Sequence, residues 1–256
     1  MIVASLTRRI DTDLRACGNR TRARNERAYL KSKLRHYGVA VPVIRRITKA
    51  ALRDAGEPTR QELVRSVEAL WARRVHELRM AAVELLVLRG ELLRATDIRW
   101  LERLIREADT WALVDVLAAT VAGALVERHP ALGRTLDRWA KDELFWVRRA
   151  ALLVLLGPLR RGAGDFARFG RYADAMLEAR EFFIRKAIGW ILRDTSRKRP
   201  ALVRDWLAPR ATRASGVTMR EAVKYLPPRD RERLMRAHRA RDAAAAKRRT
   251  KAGHSR

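Results

Sequence analysis

Apolar residues recur along most of this chain with the period of a helix. In ELRMAAVELLVL, Leu78, Ala81, Ala82, Leu85 and Leu86 fall on one helical face. VRRAALLVLL and FFIRKAIGWILR keep the same spacing. The one short alternating stretch, Val39-Ala40-Val41, is cut off by Pro42. Proline and glycine collect between the periodic stretches, at Gly56-Glu57-Pro58, Gly157-Pro158, Gly162-Ala163-Gly164 and Pro227-Pro228. Pro130 and Pro200 each follow a basic turn and are expected to open helices, because a proline in the first turn costs no hydrogen bond. RGAGDFARFG (161–170) has no strand before it and is expected to be a loop, not a phosphate cradle. The pattern predicts an all-α protein.

The helices also repeat. RMAAVELL, DVLAATVAG, RAALLVLLG, KAIGWILR and EAVKYL each begin with a charged residue and then run apolar. The charged positions are Arg79, Asp115, Arg149, Lys186 and Glu221, spaced 36, 34, 37 and 35 residues apart. A period in the mid-thirties with two helices per unit predicts a superhelical stack of HEAT-like helical repeats, an α-solenoid with a concave basic groove. Equivalent positions in stacked repeats line up. Arg79, Asp115, Arg149 and Lys186 are therefore expected to form a ribbon along that groove.

Charge sharpens the picture. The 256 residues carry 57 Lys and Arg against 29 Asp and Glu, a formal charge of +28, and only nine of the cations are Lys. Such a surface attracts polyanions, and the planar fork of Arg can bond two phosphate oxygens at once. A hydrophobic content of 48% excludes wholesale disorder. The single Cys17 excludes a disulfide framework and a cysteine-based zinc site, and the five His show no pair at metal-ligand spacing. No apolar run approaches the ~18 residues that a membrane span needs. MIVASLTRRIDTD turns charged too soon for a signal peptide. A soluble, cytoplasmic protein is expected.

Three basic members of the ribbon could grip successive phosphates, whereas Asp115 repels them. That carboxylate either fixes geometry through a salt bridge to Arg149 or has a catalytic purpose. Trp111 lies four residues before Asp115 and Trp190 four residues after Lys186, each on the helical face that carries the charge. Trp71, Trp100, Trp139, Trp146 and Trp206 are expected to pack in the core.

These residues resemble the AlkD-type DNA alkylation repair family, the HEAT-like-repeat alkylpurine DNA glycosylases. The resemblance is carried by RAYLKSKLRHYGVAVPVIRR (27–46), Leu70-Trp71, TWALVD (110–115), FWVRRAALL (145–153), EFFIRKAIGWILRD (181–194) and REAVKYL (220–226). It implies excision of N3- and N7-alkylated purines from duplex DNA by hydrolysis of the N-glycosidic bond, with no metal and no organic cofactor. It assigns the catalytic carboxylate to Asp115 and the lesion-contacting tryptophans to Trp111 and Trp190. It places Tyr29, Arg149 and Arg193 on the DNA. Thr110 and Ala112 depart from the family pattern, which often has Trp and Asp there. The glycosylase domain is expected over residues 1–235, and 236–256, a basic tail of low complexity, is expected to stay disordered or to fold as a frayed helix. The expected partner is double-stranded DNA carrying alkylated purines, met by a monomer in the bacterial cytosol, with no membrane partner.

The chemistry suits one carboxylate. An alkylated purine is cationic and leaves without a general acid, unlike the leaving groups of two-carboxylate glycosidases. Positive charge moves onto the sugar as the bond breaks. A carboxylate at ~4 Å, with an effective dielectric near 20, attracts that charge by about 4 kcal/mol, a ceiling of roughly a thousandfold in rate. Asp115 can also orient water. The tryptophans offer electron-rich faces to a cationic nucleoside. No lysine stands out as a Schiff-base nucleophile, which predicts a monofunctional hydrolase. Lys186 is either a phosphate contact or a solvated charge. Tyr29 either packs on the DNA backbone or caps the first repeat. Two other classes compete: a non-catalytic repeat scaffold that binds damaged or distorted DNA or RNA, and a protein-binding solenoid with an acidic partner.

Overall fold

The computed structural model describes the backbone of residues 2–253 and the side chains of residues 2–240. Among the described residues there are helices and no strands, with one isolated bridge between Arg35 and Val75. The chain divides into two compact units, Met1–Thr135 and Leu136–Arg256.

The first unit holds α1 (Ile2–Ala16), α2 (Arg20–Leu30), α3 (Val41–Ala55), α4 (Arg60–Trp71), α5 (His76–Arg89), α6 (Ile98–Glu107), α7 (Trp111–Val116) and α8 (Gly123–Arg128). Their starts follow local chemistry. The Asn19 side chain accepts the Arg22 N–H to cap α2. Thr59 and Glu62 form a reciprocal capping box on α4, and Pro42 sits in the first turn of α3. The apolar face read from α5 is buried throughout, at Leu78, Ala81, Ala82, Leu85 and Leu86. The helix goes further and buries His76, Glu77 and Arg79 as well. It is wrapped by α1, α3 and α4.

The boundary between the units falls inside α9 (Gly133–Trp139), which follows the 3-10 turn opened by Pro130. The second unit continues with α10 (Phe145–Leu153), α11 (Leu156–Arg160), α12 (Phe166–Ala175), α13 (Phe182–Ser196), α14 (Pro200–Leu207), α15 (Gly216–Ala222) and α16 (Pro228–Gly253). Here α13 is the central helix, packed on α10, α11, α14 and α15. Gly189 lets α13 pass close to α15: a Cβ there would lie 2.8 Å from Glu221 Cβ and 2.9 Å from the Thr218 carbonyl.

Two expectations change. The loop predicted over 161–170 ends at Asp165, whose side chain accepts the Arg168 N–H and starts α12. Phe166 and Phe169 then pack on the Trp206 ring, and Gly170 lies against the Trp206 indole. Helix α16 runs across the boundary expected at 235/236. The last three tail residues, 254–256, fall outside the described residues.

The mid-thirties period read from the sequence returns in the hydrogen bonds. Trp71 donates to Glu107, 36 residues on, and Arg128 to the Leu93 carbonyl, 35 residues back. In the second unit, Tyr172 donates to Asp137, 35 residues back, Lys186 to Glu221, 35 residues on, and Arg210 to Asp174, 36 residues back. Each bond joins equivalent places in successive repeats.

Candidate functional site

In the first unit the candidate residues gather at the start of α7. The chain enters that helix through Asp109 with φ of 57°, a left-handed conformation that aspartate tolerates better than most residues. Extended Thr110 follows, and its buried hydroxyl has no hydrogen-bond partner. Trp111 and Asp115 are both half-buried, and their four-residue spacing puts them on one side of the helix, a turn apart. Beyond Asp115 the helix widens into a π-turn over Leu117–Ala122, a local distortion frequent at functional sites. Tyr29, at the end of α2, meets Trp111 edge to face, with ring centroids 6.1 Å apart. It is 74% exposed, so this large aromatic gives most of its surface to solvent.

The second unit builds a basic surface on α13. Trp190 is half-buried, and its indole N–H donates to Asp194 Oδ2 at 3.1 Å. Asp194 also accepts from Arg160 Nε at 2.9 Å and from Arg193 Nε at 3.1 Å. Arg160, Trp190, Arg193, Asp194 and Arg197 line a shallow cavity of about 550 Å³. The Arg197 guanidinium lies 3.7 Å from the Tyr225 ring centroid. One turn before Trp190, Lys186 Nζ donates to Glu221 at 2.7 Å. Arg193 and Lys224 donate to the same carboxylate. Burial by itself would raise the Glu221 carboxyl, but Lys186, Lys224 and Arg193 outweigh it and hold it down at about 2.

The expected basic ribbon needs correction. Arg79 and Arg149 are 4% and 2% exposed, so neither faces solvent as a phosphate ligand would. Arg79 donates to the Trp71 carbonyl at 3.2 Å and to the Glu107 carbonyl at 2.6 Å, over the Trp71 ring. Arg149 donates to the Phe183 carbonyl and lies over its ring. Arg79 thus meets carbonyls at the C-terminal ends of α4 and α6, whereas Arg149 meets a carbonyl in the first turn of α13. Lys186 and Arg193 remain partly exposed, with side-chain exposures of 41% and 23%.

Sequence reasoning gave no role to Asp194 or Arg160. Asp194 lies four residues after Trp190, a spacing that could have signalled the contact. The histidines are scattered along the sequence, whereas in the fold His36 and His76 stack with centroids 4.5 Å apart. Glu26 and Glu77 stand beside His36, with ligand-type atoms within 4.8 Å of one another. No spacing rule links residues from α2, the following loop and α5.

The fold and the clustered aromatics define a helical-repeat protein with a basic surface, and likeness to known proteins places it. Residues 10–226 match the family model described as DNA alkylation repair enzyme, and the chain belongs to that family. No curated protein matches it. Among solved structures it is similar to a predicted DNA alkylation repair enzyme from Enterococcus faecalis, with a TM-score of 0.74 at 24% identity, over 82% of this chain and 97% of that one. It is also similar to AlkD2 from Streptococcus mutans, with a TM-score of 0.57 at 18% identity, covering 80% and 99%. A third similar structure is smu.31 from Streptococcus mutans, with a TM-score of 0.55 at 21% identity, covering 73% and 99%. At these identities the structures bear on the fold alone.

Proposed function

We propose that this member of the DNA alkylation repair family is a monofunctional glycosylase that hydrolyses the N-glycosidic bond of N3- and N7-alkylated purines in duplex DNA. One observation carries the reading: an exposed Tyr29 abuts Trp111, one turn from the Asp115 carboxylate. A surface that only grips phosphate gains nothing from a carboxylate beside its aromatic residues. A cationic nucleoside gains from both, through the ring faces and through the negative charge.

In this reading Asp115 stabilises the positive sugar and orients the attacking water, and Trp111 offers its ring to the alkylated nucleoside. Lys186 and Arg193 contact phosphates, and Trp190 presents a second aromatic face to the DNA. Arg149 acts indirectly, by holding the start of α13 through the Phe183 carbonyl. No described helix is long and apolar enough to cross a membrane.

The test is release of free 7-methylguanine from methylated duplex DNA by wild type and by Asp115→Asn. Wild type is expected to release the base. The variant should bind the duplex normally and lose roughly a hundredfold to a thousandfold in rate, the ceiling set by about 4 kcal/mol of charge stabilisation. Binding without release by wild type would support a non-catalytic damage binder. Equal release by both proteins would overturn the role of Asp115.

A further inference from the structure

Helix α2 presents a puzzle. It carries Tyr29, yet it buries none of its residues and its sequence is strongly polar. An amphipathic helix is normally held by its apolar face, and α2 has none to offer. Besides the edge-to-face contact of Tyr29 with Trp111, it is tied to the loop that follows it. The Asn19 N–H donates to the Tyr37 carbonyl at 2.9 Å. Gly38, with φ of 82°, lets the loop pass so close that a Cβ would fall 2.1 Å from the Asn19 carbonyl.

That loop is organised around Glu77, which is fully buried at the start of α5. Its Oε1 accepts the Gly38 N–H at 2.6 Å and the Val39 N–H at 3.2 Å, and its Oε2 accepts the Tyr37 N–H at 2.9 Å. A carboxylate has about four acceptor sites. One therefore remains on Oε2, and all the hydrogen-bond donors around this buried charge are neutral backbone groups. Beside it stands His36, with both ring nitrogens buried and without a hydrogen-bond partner. Glu26, on α2, has Oε1 paired with Arg22 while Oε2 is buried and without a partner.

We propose that Glu26, His36 and Glu77 form a binding site for one divalent transition-metal ion of the zinc class, which clamps α2 to the body of the first unit. Glu26 and His36 are half-buried, but Glu26 Oε2 and both His36 ring nitrogens are themselves shut off from water without a partner, which is costly beside the buried Glu77 carboxylate. Their ligand atoms lie within 4.8 Å of one another. Ligands about 2.1 Å from a shared tetrahedral ion stand roughly 3.4 Å apart, so small side-chain adjustments complete the set. One imidazole and two carboxylates favour a borderline ion such as Zn²⁺ over calcium or magnesium, which prefer oxygen alone. His76 stacks on His36 and fixes the plane of the ring. Three protein ligands leave a fourth position for water. The ion would supply α2 with the anchor that its sequence lacks, and the site is independent of the glycosylase reading.

The experiment uses the full-length chain, stripped with chelator and titrated with Zn²⁺ by calorimetry. Amide exchange of residues 20–30 is followed with and without the ion. One Zn²⁺ per chain is expected, with stronger protection of α2. Binding should weaken at least tenfold in both Glu26→Ala and His36→Ala, and should survive Cys17→Ser, since that exposed thiol is the obvious competing ligand. Circular dichroism checks that each variant folds, and the conservative Glu26→Gln and His36→Gln replace any that does not. Absence of stoichiometric binding in wild type overturns the site. So does binding that survives both ligand substitutions, or that disappears with Cys17. Binding without added protection of α2 overturns the clamp.

Discussion

Neutralising one carboxylate, Glu221→Gln, should weaken the fold and strengthen DNA binding at once. The side chain keeps its shape and loses its charge. In the structure Glu221 is 8% exposed and accepts from Lys186 at 2.7 Å, from Lys224 at 3.2 Å and from Arg193. Burial works against the ionised form, and the three cations overcome it, holding the carboxyl at about 2 against an ordinary 4.5. A displacement of that size sets a ceiling of about 3 kcal/mol on what the charge adds to stability. Lys186 and Lys224 are half-exposed, so solvent screening reduces the expected loss at pH 7 to about 1–2 kcal/mol. For a chain of this size that is a drop of about 2–8 °C in Tm. The sign of the pH dependence follows from the lowered value. The contribution is complete above the unfolded-state value near 4.5 and fades as pH falls toward about 2. Urea denaturation at pH 7, 5 and 3.5 should show wild type ahead of the variant at the first two and a narrower gap at the third. Meanwhile Lys186, Lys224 and Arg193 lose their internal anion. Affinity for a short duplex should rise, and its salt dependence should steepen by up to ~0.9 for each additional phosphate that these cations neutralise. Equal stability of the two proteins at pH 7, or a gap that stays constant down to pH 3.5, would refute the electrostatic account.

Two further substitutions probe the packing. Arg79→Leu should cost about 2–4 kcal/mol in urea denaturation, because the Trp71 and Glu107 carbonyls would lose a charged donor inside the protein; a loss under about 0.5 kcal/mol would mean that water or a neighbour replaces it. Gly38→Ala should cost about 2–3 kcal/mol and raise amide exchange in α2, since the new Cβ meets the Asn19 carbonyl and the Ala23 N–H within 2.6 Å; unchanged exchange in residues 20–30 would show that this close approach does not hold the helix.

Much of this fold is legible in the sequence because each repeat solves the same local problem. The periodic apolar residues of α5, α10 and α13 are buried where the pattern puts them, and of the two prolines expected to open helices Pro200 starts α14 and Pro130 opens a 3-10 turn. Trp71, Trp139 and Trp146 are core residues, while Trp100 and Trp206 pack with part of the ring at the surface. Register predicts which residues occupy equivalent places; it does not predict what each meets there. Arg79 and Arg149 share the register of Lys186, yet both are buried and donate to carbonyls inside the protein. The group of Glu26, His36 and Glu77 left no trace in the sequence because its members come from three segments joined only by tertiary structure.

The acidic residues explain how a chain of charge +28 can be both stable and free to meet a polyanion. With 29 carboxylates for 57 cations, each carboxylate placed at random on the surface would mostly neutralise a neighbour. Many are instead spent at the seams between repeats. Asp97 holds Arg60, 37 residues back, Asp194 holds Arg160, 34 residues back, and Glu181 holds Arg148, 33 residues back. An anion at a seam acts where it is partly shielded from water, so it contributes more than an exposed pair. It also binds cations whose side chains already lie between helices. The cations on the outer turns then keep their charge for solvent and phosphate. On α13 the two uses meet: Asp194 and Glu221 hold Arg193 and Lys186 on the helix that carries Trp190 and offset part of the positive charge there until a phosphate competes for it.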